Sequence, residues 1–484
     1  MVQTGERVVA VITSQSVDAD KITKIPASNA PAGDDVADML ENARFIAQVL
    51  VAEGFELLNF HPLAISFGGS PAAFERFFGF HPVRRAFPGG RGRRIDGFDV
   101  EPQDADRLSA LPAAFEGRAG FMAIARPPKL IDDASAPMRD VGADLPIWSL
   151  PDELALSIWA NGVDGPVGTG HGVVVAQIGT GHYRHRFFSD RGYRVLPTLL
   201  GPGQCHPQRD DHGHGTGEAA CLFGAAPDLR LRPIKGLLDP VGDLLMTIDS
   251  APGPDLIVGS WGYDVDQGGW DELAANDRNL HHYLKLLELA IAFACTRGVV
   301  VCAAAPTTWR SFPACHPDVI SIGAISSGRA AQQMRAEAGV SGLYPGRRVP
   351  DIWSDAAKSV RAGLDLVGCT HPAQPGSALA WTGLQEAGAD EGFAWCEIEQ
   401  AASPLAASKL ALLLEQHRGM SPAAFKAMVV ATNDLATADD AGSTRLGQAA
   451  NERALQASDP LYQFAGETDH AACGEHPGMG SLAG

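Results

Sequence analysis

No run of about 18 consecutive apolar residues occurs anywhere in the 484-residue sequence, so hydropathy offers no membrane-spanning helix. Positive charge is in short supply: 38 Lys and Arg stand against 57 Asp and Glu, a formal net charge of -19. A surface of that sign repels nucleic-acid phosphates and anionic lipid, so neither a nucleic acid nor a membrane is expected as a partner. Cysteine is sparse too. The eight present are scattered without CxxC spacing, and Cys221 and Cys302 sit inside apolar segments, which favours reduced, buried thiols over a disulfide framework. The N-terminus MVQTGERVVAVITS lacks the basic and apolar regions of a secretory signal, so a cytoplasmic location is the expectation. The densest basic run, RRAFPGGRGRR from Arg84 to Arg94, is glycine-rich and reads as a solvated loop.

What the chain does have is apolar residues in quantity, 45%, ample for a large core. Two regions differ in pattern. Up to about residue 121, short strands and helices alternate: RVVAVITSQ, an amphipathic helix over VADMLENARFIAQVLVAEG, strands in FELLNFHPLAISFGG and a helix over SPAAFERFFG. That order predicts a small α+β domain over 1–121. A Pro-, Asp- and Ala-rich connector over 122–146 reads as a linker.

From about residue 147 to 457 the pattern becomes apolar strand, helix, apolar strand: GVVVAQIGTG, LRLRPIKGLL, PDLIVGSWG, a helix over LHHYLKLLELAIAFACTRG, VVVCAAAP and DVISIGAI. Continuous Val/Ile/Ala runs alternating with helices predict an α/β fold, a doubly wound parallel sheet covered on both faces. Helices over SPLAASKLALLLEQHR and SPAAFKAMVVATND follow, and 458–484 reads as a C-terminal tail without periodicity.

DDHGHGTGEAACLFGAAP, from Asp210 to Pro227, sets His214 between glycines at the mouth of a helix. Together with GVVVAQIGTGHYRHRFF, GAAPDLRLRPIKGL, DLIVGSWG, GVVVCAAAPTTWRSFPACHPDVISIGAI, RRVPDIWSD and SPLAASKLALLLEQHR, in that order, it resembles the catalytic domain of the subtilisin-like serine proteases, the subtilases, over about Trp148 to Leu455. The first region resembles the prodomain that such proteases carry. The resemblance implies a crevice where an aspartate orients a histidine, the histidine takes a proton from a serine, and the serine attacks a carbonyl.

Carried onto this chain, the resemblance implies a disarmed site. The family's Asp-Thr-Gly falls on Gly179-Thr180-Gly181, and the oxyanion asparagine falls on Thr307. Counting back from Pro404, the serine falls on Gln400, and only His214 is kept. A glutamine amide is neither nucleophilic nor ionised near neutral pH, so no acyl-enzyme can form there. His214 is expected to lack both a serine and an orienting aspartate. The walls that pair with an extended peptide correspond to Ser260, Trp261 and Gly262 on one side and Cys302, Ala303, Ala304 and Ala305 on the other. Main-chain pairing needs no particular side chain, so a peptide can be held without being cut.

This leads to a pseudoprotease that binds a peptide or partner protein, with the N-terminal region still attached and the connector from Arg126 to Pro146 near or in the cleft. Two rivals stay open: a hydrolase using a displaced nucleophile, Cys396 or Ser403, and a regulatory subunit paired with an active protease. His182, His185, Cys205, Asp211, His212 and His214 have zinc-ligand chemistry. His212 and His214 bracket a glycine at a turn, however, and no HExxH pair exists, so no metal is expected. GTGHG at Gly168 to Gly172 precedes a strand, where a dinucleotide fingerprint would follow one, and no cofactor is expected.

Overall fold

A computed structural model describes residues 7–14, 34–89, 94–131, 168–184, 186–210, 212–265, 268–306, 310–326, 339–357, 365–368, 393–396 and 398–435. The N-terminal region is built on β1 (Val8–Ser14), β2 (Glu56–Phe60), β3 (Ala64–Gly69) and β6 (Ala119–Ile124), joined antiparallel in the order β2-β3-β1-β6. Side-chain alternation divides β1 between two environments. Val8, Ala10 and Ile12 pack with Ala43, Ile46 and Leu50 of α1 (Asp34–Ala52) and with Phe67, Phe74 and Phe78, whereas Val11 joins the core of the second region. The sheet is therefore buried on both faces. The helix α2 (Pro71–Phe78) is bounded as its sequence directs: the Ser70 side chain accepts from the Ala73 amide, and Gly79 closes the other end in the left-handed conformation, φ 75°.

Two expectations need correction here. Within the basic run expected to be a solvated loop, Arg84–Pro88 belongs to β4 (Val83–Pro88) and Arg94 opens β5 (Arg94–Asp99); the two pair as an antiparallel hairpin. Arg and Gly carry weak strand propensity, and cross-strand pairing overrides it. Strand β6 also runs to Ile124, past the expected domain end at 121, because Ala123 and Ile124 complete the pairing with β1.

The second region is a parallel sheet. Its strands are β8 (Val174–Gly179), β9 (Arg194–Val195), β10 (Leu199–Leu200), β11 (Arg230–Lys235), β12 (Leu256–Gly259), β14 (Val300–Ala304), β16 (Ile320–Ser326) and β19 (Ile352–Ala357). They run β10-β11-β8-β12-β14-β16-β19, with β9 also on β11. Outside it lie β7 (Lys129–Leu130), β13 (Trp261–Asp264), β15 (Ser311–Phe312) and the pair β17 (Gly339–Val340) and β18 (Arg348–Val349). After the short helix α3 (Arg186–Asp190) come α4 (His214–Ala225), α5 (Pro240–Ile248), α6 (Trp270–Asn276), α7 (Arg278–Thr296), α8 (Ile398–Gln416) and α9 (Pro422–Leu435).

Alternate residues of each central strand serve opposite cores. Val175, Val258 and Cys302 face α4 and α8, with Leu222, Leu405 and Leu410; Ala176, Ile257, Val301 and Ala303 face α5 and α7, with Leu245, Leu287 and Ile291. The N-terminal sheet lies on that second layer. Two buried polar clusters in its seam are each fastened at a helix start. The Ser66 hydroxyl donates to Asp239, which precedes α5 and also accepts from Tyr283 Oη at 2.9 Å. Arg126, 8% exposed, donates to Asp99 Oδ2 at 2.6 Å and to Asp277 Oδ1, the N-cap of α7, at 2.7 Å. Asn279 closes the second cluster by donating to Asp99 Oδ1 at 2.9 Å and accepting from the Ile124 amide at 2.8 Å. No helix among the described residues is long and apolar enough to cross a membrane.

Candidate peptide cleft and histidine site

His214 opens α4 beside the carboxyl end of β8, and an unforeseen carboxylate builds this corner. Asp210, 4% exposed, accepts at Oδ1 from the Gly213 amide at 2.8 Å and from the Thr180 hydroxyl at 2.8 Å. At Oδ2 it accepts from the Thr216 amide at 2.8 Å and the Thr216 hydroxyl at 2.7 Å. Glycine at the helix mouth supplies no capping side chain, so Asp210 satisfies these N–H groups from outside the helix. Gly215 must be glycine for a different reason: a Cβ there would lie 2.2 Å from the Gly181 carbonyl oxygen. The strand end Gly179-Thr180-Gly181 and the helix start thus touch backbone to backbone, and the Gly215 amide donates to Thr180 Oγ1 at 2.9 Å.

His214 is 2% exposed, and its Nδ1 stands 3.4 Å from Oε2 of Glu218, four residues on along α4 and likewise 2% exposed. Oε2 also accepts from Gln177 Nε2 on β8 at 3.0 Å, and the same amide donates to the Gly215 carbonyl at 2.9 Å. A glutamate therefore stands beside His214, which the sequence expectation, concerned with an aspartate and a serine, did not include. Glu218 escapes a reading of the sequence because it sits inside an apolar helical run; its position one turn from His214 is the signal that could expose it.

The other candidates are placed unevenly. Gly179 ends β8 as expected. Gln400 lies on α8, while Thr307 lies outside the described residues. Ser403, also on α8, is fully buried. Cys396 ends the strand Phe393–Cys396. Of the zinc candidates, His185 and Asp211 lie outside the described residues, and no group of three His, Cys, Asp or Glu able to hold a metal forms among the described ones.

The cleft walls are better defined. Ser260 is fully buried, Trp261 anchors its segment by donating from Nε1 to the Ile178 carbonyl at 3.1 Å, and β13 is free of the main sheet. Against it lies the connector. Strand β7 pairs antiparallel with β13, Leu130 opposite Trp261 and Lys129 opposite Gly262, and the Ile131 amide donates to the Ser260 carbonyl at 2.9 Å. Ile131, 1% exposed, packs on Ala304. On the opposite side, among the described residues, Ala304 clusters with Ile131. Cys302 and Ala303 point into the two cores, and Ala305 joins the α5/α7 core. Burial first, and then the charge of Glu218, push the Cys302 thiol far above its usual range, which leaves it un-ionised.

The family model described as the subtilase family matches residues 170–455. No curated protein matches the sequence. Among solved structures, the chain is similar to fervidolysin from Fervidobacterium pennivorans, a keratinolytic enzyme related to subtilisin, at 14% identity and a TM-score of 0.50. That match covers 95% of this chain and 63% of fervidolysin's, so the chain spans less than two thirds of that enzyme's length. It is similar as well to the epidermin leader peptide processing serine protease of Staphylococcus aureus, at 10% identity and a TM-score of 0.50, over 92% of this chain and 97% of the other. A lanthipeptide protease matches at 18% identity and a TM-score of 0.44, over 65% of this chain and 99% of its own. At these identities the two structures matched at a TM-score of 0.50 speak to fold alone, whereas the family match takes in more than half of the sequence, the His214 corner and β13 included. The chain belongs to the subtilase family.

Proposed function

We propose that this subtilase-fold protein holds an extended peptide, or a strand of a partner protein, in the β13 cleft without serine-type cleavage. The observation that carries the reading is the seating of the chain's own connector: Lys129 and Leu130 pair with Gly262 and Trp261, and Ile131 bonds to Ser260. A cleft that takes a strand through main-chain bonds is a peptide-binding module whatever stands at the nucleophile position. At that position, by count from Pro404, stands Gln400, which offers no hydroxyl.

The connector would then act as a tethered competitor. A short link gives it an effective concentration on the order of millimolar, so outside peptides bind only as it vacates the cleft. The test uses the full chain, a fluorophosphonate probe and a fluorescent synthetic peptide with the connector sequence, Arg126 to Pro146. No labelling by the probe is expected, and Ile131→Pro, which removes the amide that bonds to Ser260, should tighten peptide binding. Labelling that vanishes in Ser403→Ala, or peptide affinity unmoved by Ile131→Pro, would defeat the reading.

A further inference from the structure

Three observations meet at the strand end Gly179. Glycine there leaves β8 without a side chain, and a Cβ built on it would lie 3.9 Å from Glu218 Oε2 and 3.8 Å from the Gly215 Cα, in ordinary contact with both. The Glu218 carboxylate therefore stands beside the point from which a side chain at residue 179 would project. Next, Oε2 faces His214 Nδ1 at 3.4 Å, with both residues 2% exposed. Last, the carboxylate is held from the strand side, where Gln177 Nε2 donates to Oε2 at 3.0 Å and is itself oriented by the Gly215 carbonyl at 2.9 Å.

We infer that Glu218 is the positioning residue of His214: it supplies from the same helix the carboxylate that Gly179 withholds, and keeps the proton of the neutral imidazole on Nδ1. A buried carboxylate is costly unless it is paired and hydrogen-bonded. Neither ring nitrogen of His214 has a closed hydrogen bond among the described residues, and Glu218 Oε1 has none either. A small shortening of the 3.4 Å separation satisfies Nδ1–H and the carboxylate together. Contacts of this kind are often long before a ligand arrives. With Nδ1 as donor to Glu218, Nε2 is left as an acceptor of fixed identity, the half of the family's relay that survives without a serine. The inference does not depend on what the cleft binds, and its test uses no peptide.

The readout is the protonation of His214 followed by nitrogen NMR on the full chain labelled in histidine, the His214 signals being assigned by their loss in His214→Gln. In the unmodified protein, the neutral ring should carry its proton on Nδ1. Glu218→Leu keeps bulk and removes the acceptor, so the neutral ring should move to the Nε2–H form. Adding Gly179→Asp to Glu218→Leu should bring the Nδ1–H form back from a different element, a rescue that a merely structural role for Glu218 would not produce. If the neutral ring of the unmodified protein carries its proton on Nε2, the inference is overturned, and that measurement does not require either variant to fold. It is overturned equally if Glu218→Leu folds and leaves the tautomer unchanged.

Discussion

The amide of Ile131 donates to the carbonyl of Ser260 at 2.9 Å, and its side chain is buried against Ala304. The connector is thereby the strand paired with β13 as well as the segment that follows the N-terminal region. Shortening the side chain in Ile131→Ala removes buried aliphatic volume and should cost about 2 kcal/mol or more. Hydrogen exchange at residues 129–131 and at Trp261 and Gly262 checks this: protection should fall at both partners of the ladder while that of β12 and β14 holds. Loss spread evenly over the whole sheet would place the effect elsewhere.

Arg126 is the pin between the regions. Burial alone would lower the pKa of its guanidinium, yet the charges and hydrogen bonds of Asp99 and Asp277 outweigh that and raise it. Removing it in Arg126→Leu leaves Asp99, 3% exposed, with the longer 3.7 Å contact to Arg85 Nε in place of its 2.6 Å partner. Breaking one partner of a buried pair costs about 3–5 kcal/mol. Urea unfolding should show that loss, and Asp99→Asn added to it should recover part, since the two changes share one interaction.

Acid should loosen the same seam through His61. Its ring touches Phe293 at 4.9 Å between centroids, its Nδ1 accepts from the Leu63 amide at 3.1 Å, and its Nε2 lies 3.4 Å from Asp249 Oδ2. Burial, and then the charge of Arg297, lower its pKa from 6.5 to about 4. The folded state favours the neutral ring, so protonation favours the unfolded one. The contribution is whole above pH 6.5 and is lost as the pH falls towards 4. On the order of 1–2 kcal/mol should disappear between about pH 7 and pH 5. Thermal unfolding of His61→Gln should show a correspondingly flatter acid limb; an unchanged slope would remove His61 as its source.

Gly215→Ala should disrupt the histidine corner although alanine is the better helix former. The added Cβ meets the Gly181 carbonyl at 2.2 Å, backbone that cannot swing aside. Forcing the two segments apart costs about 1–3 kcal/mol, more than the helix gains from alanine. Thermal unfolding should record the deficit, and the His214 ring signals should shift with it. Stabilisation by the substitution would mean that the strand end and the helix are not in contact.

The pattern of residues along the chain determined the parallel sheet, its covering helices, the place of His214 at a helix mouth and the family, because continuous Val/Ile/Ala runs and helical periodicity are local properties that survive without knowledge of neighbours. The strands over VVAQIG, LIVG and VVCAA follow from them directly. The hairpin of β4 and β5 is not legible, since Arg, Gly and Pro there carry no strand signal and pairing alone holds them extended. The i,i+4 spacing sets Glu218 on the face of His214, but the sequence cannot say what else surrounds the pair. The glycine at 179 can be read from one position, but the Glu218 carboxylate meets the end of β8 only because α4 packs there, where Gln177 reaches across to hold it. Likewise Asp210 acquires its role from five donors on two segments, and Lys129 to Ile131 from the strand they meet. Local sequence determines which element forms; which charge or backbone edge finds a partner is settled when the elements pack, because a buried polar group is stable only where the tertiary structure completes its hydrogen bonds.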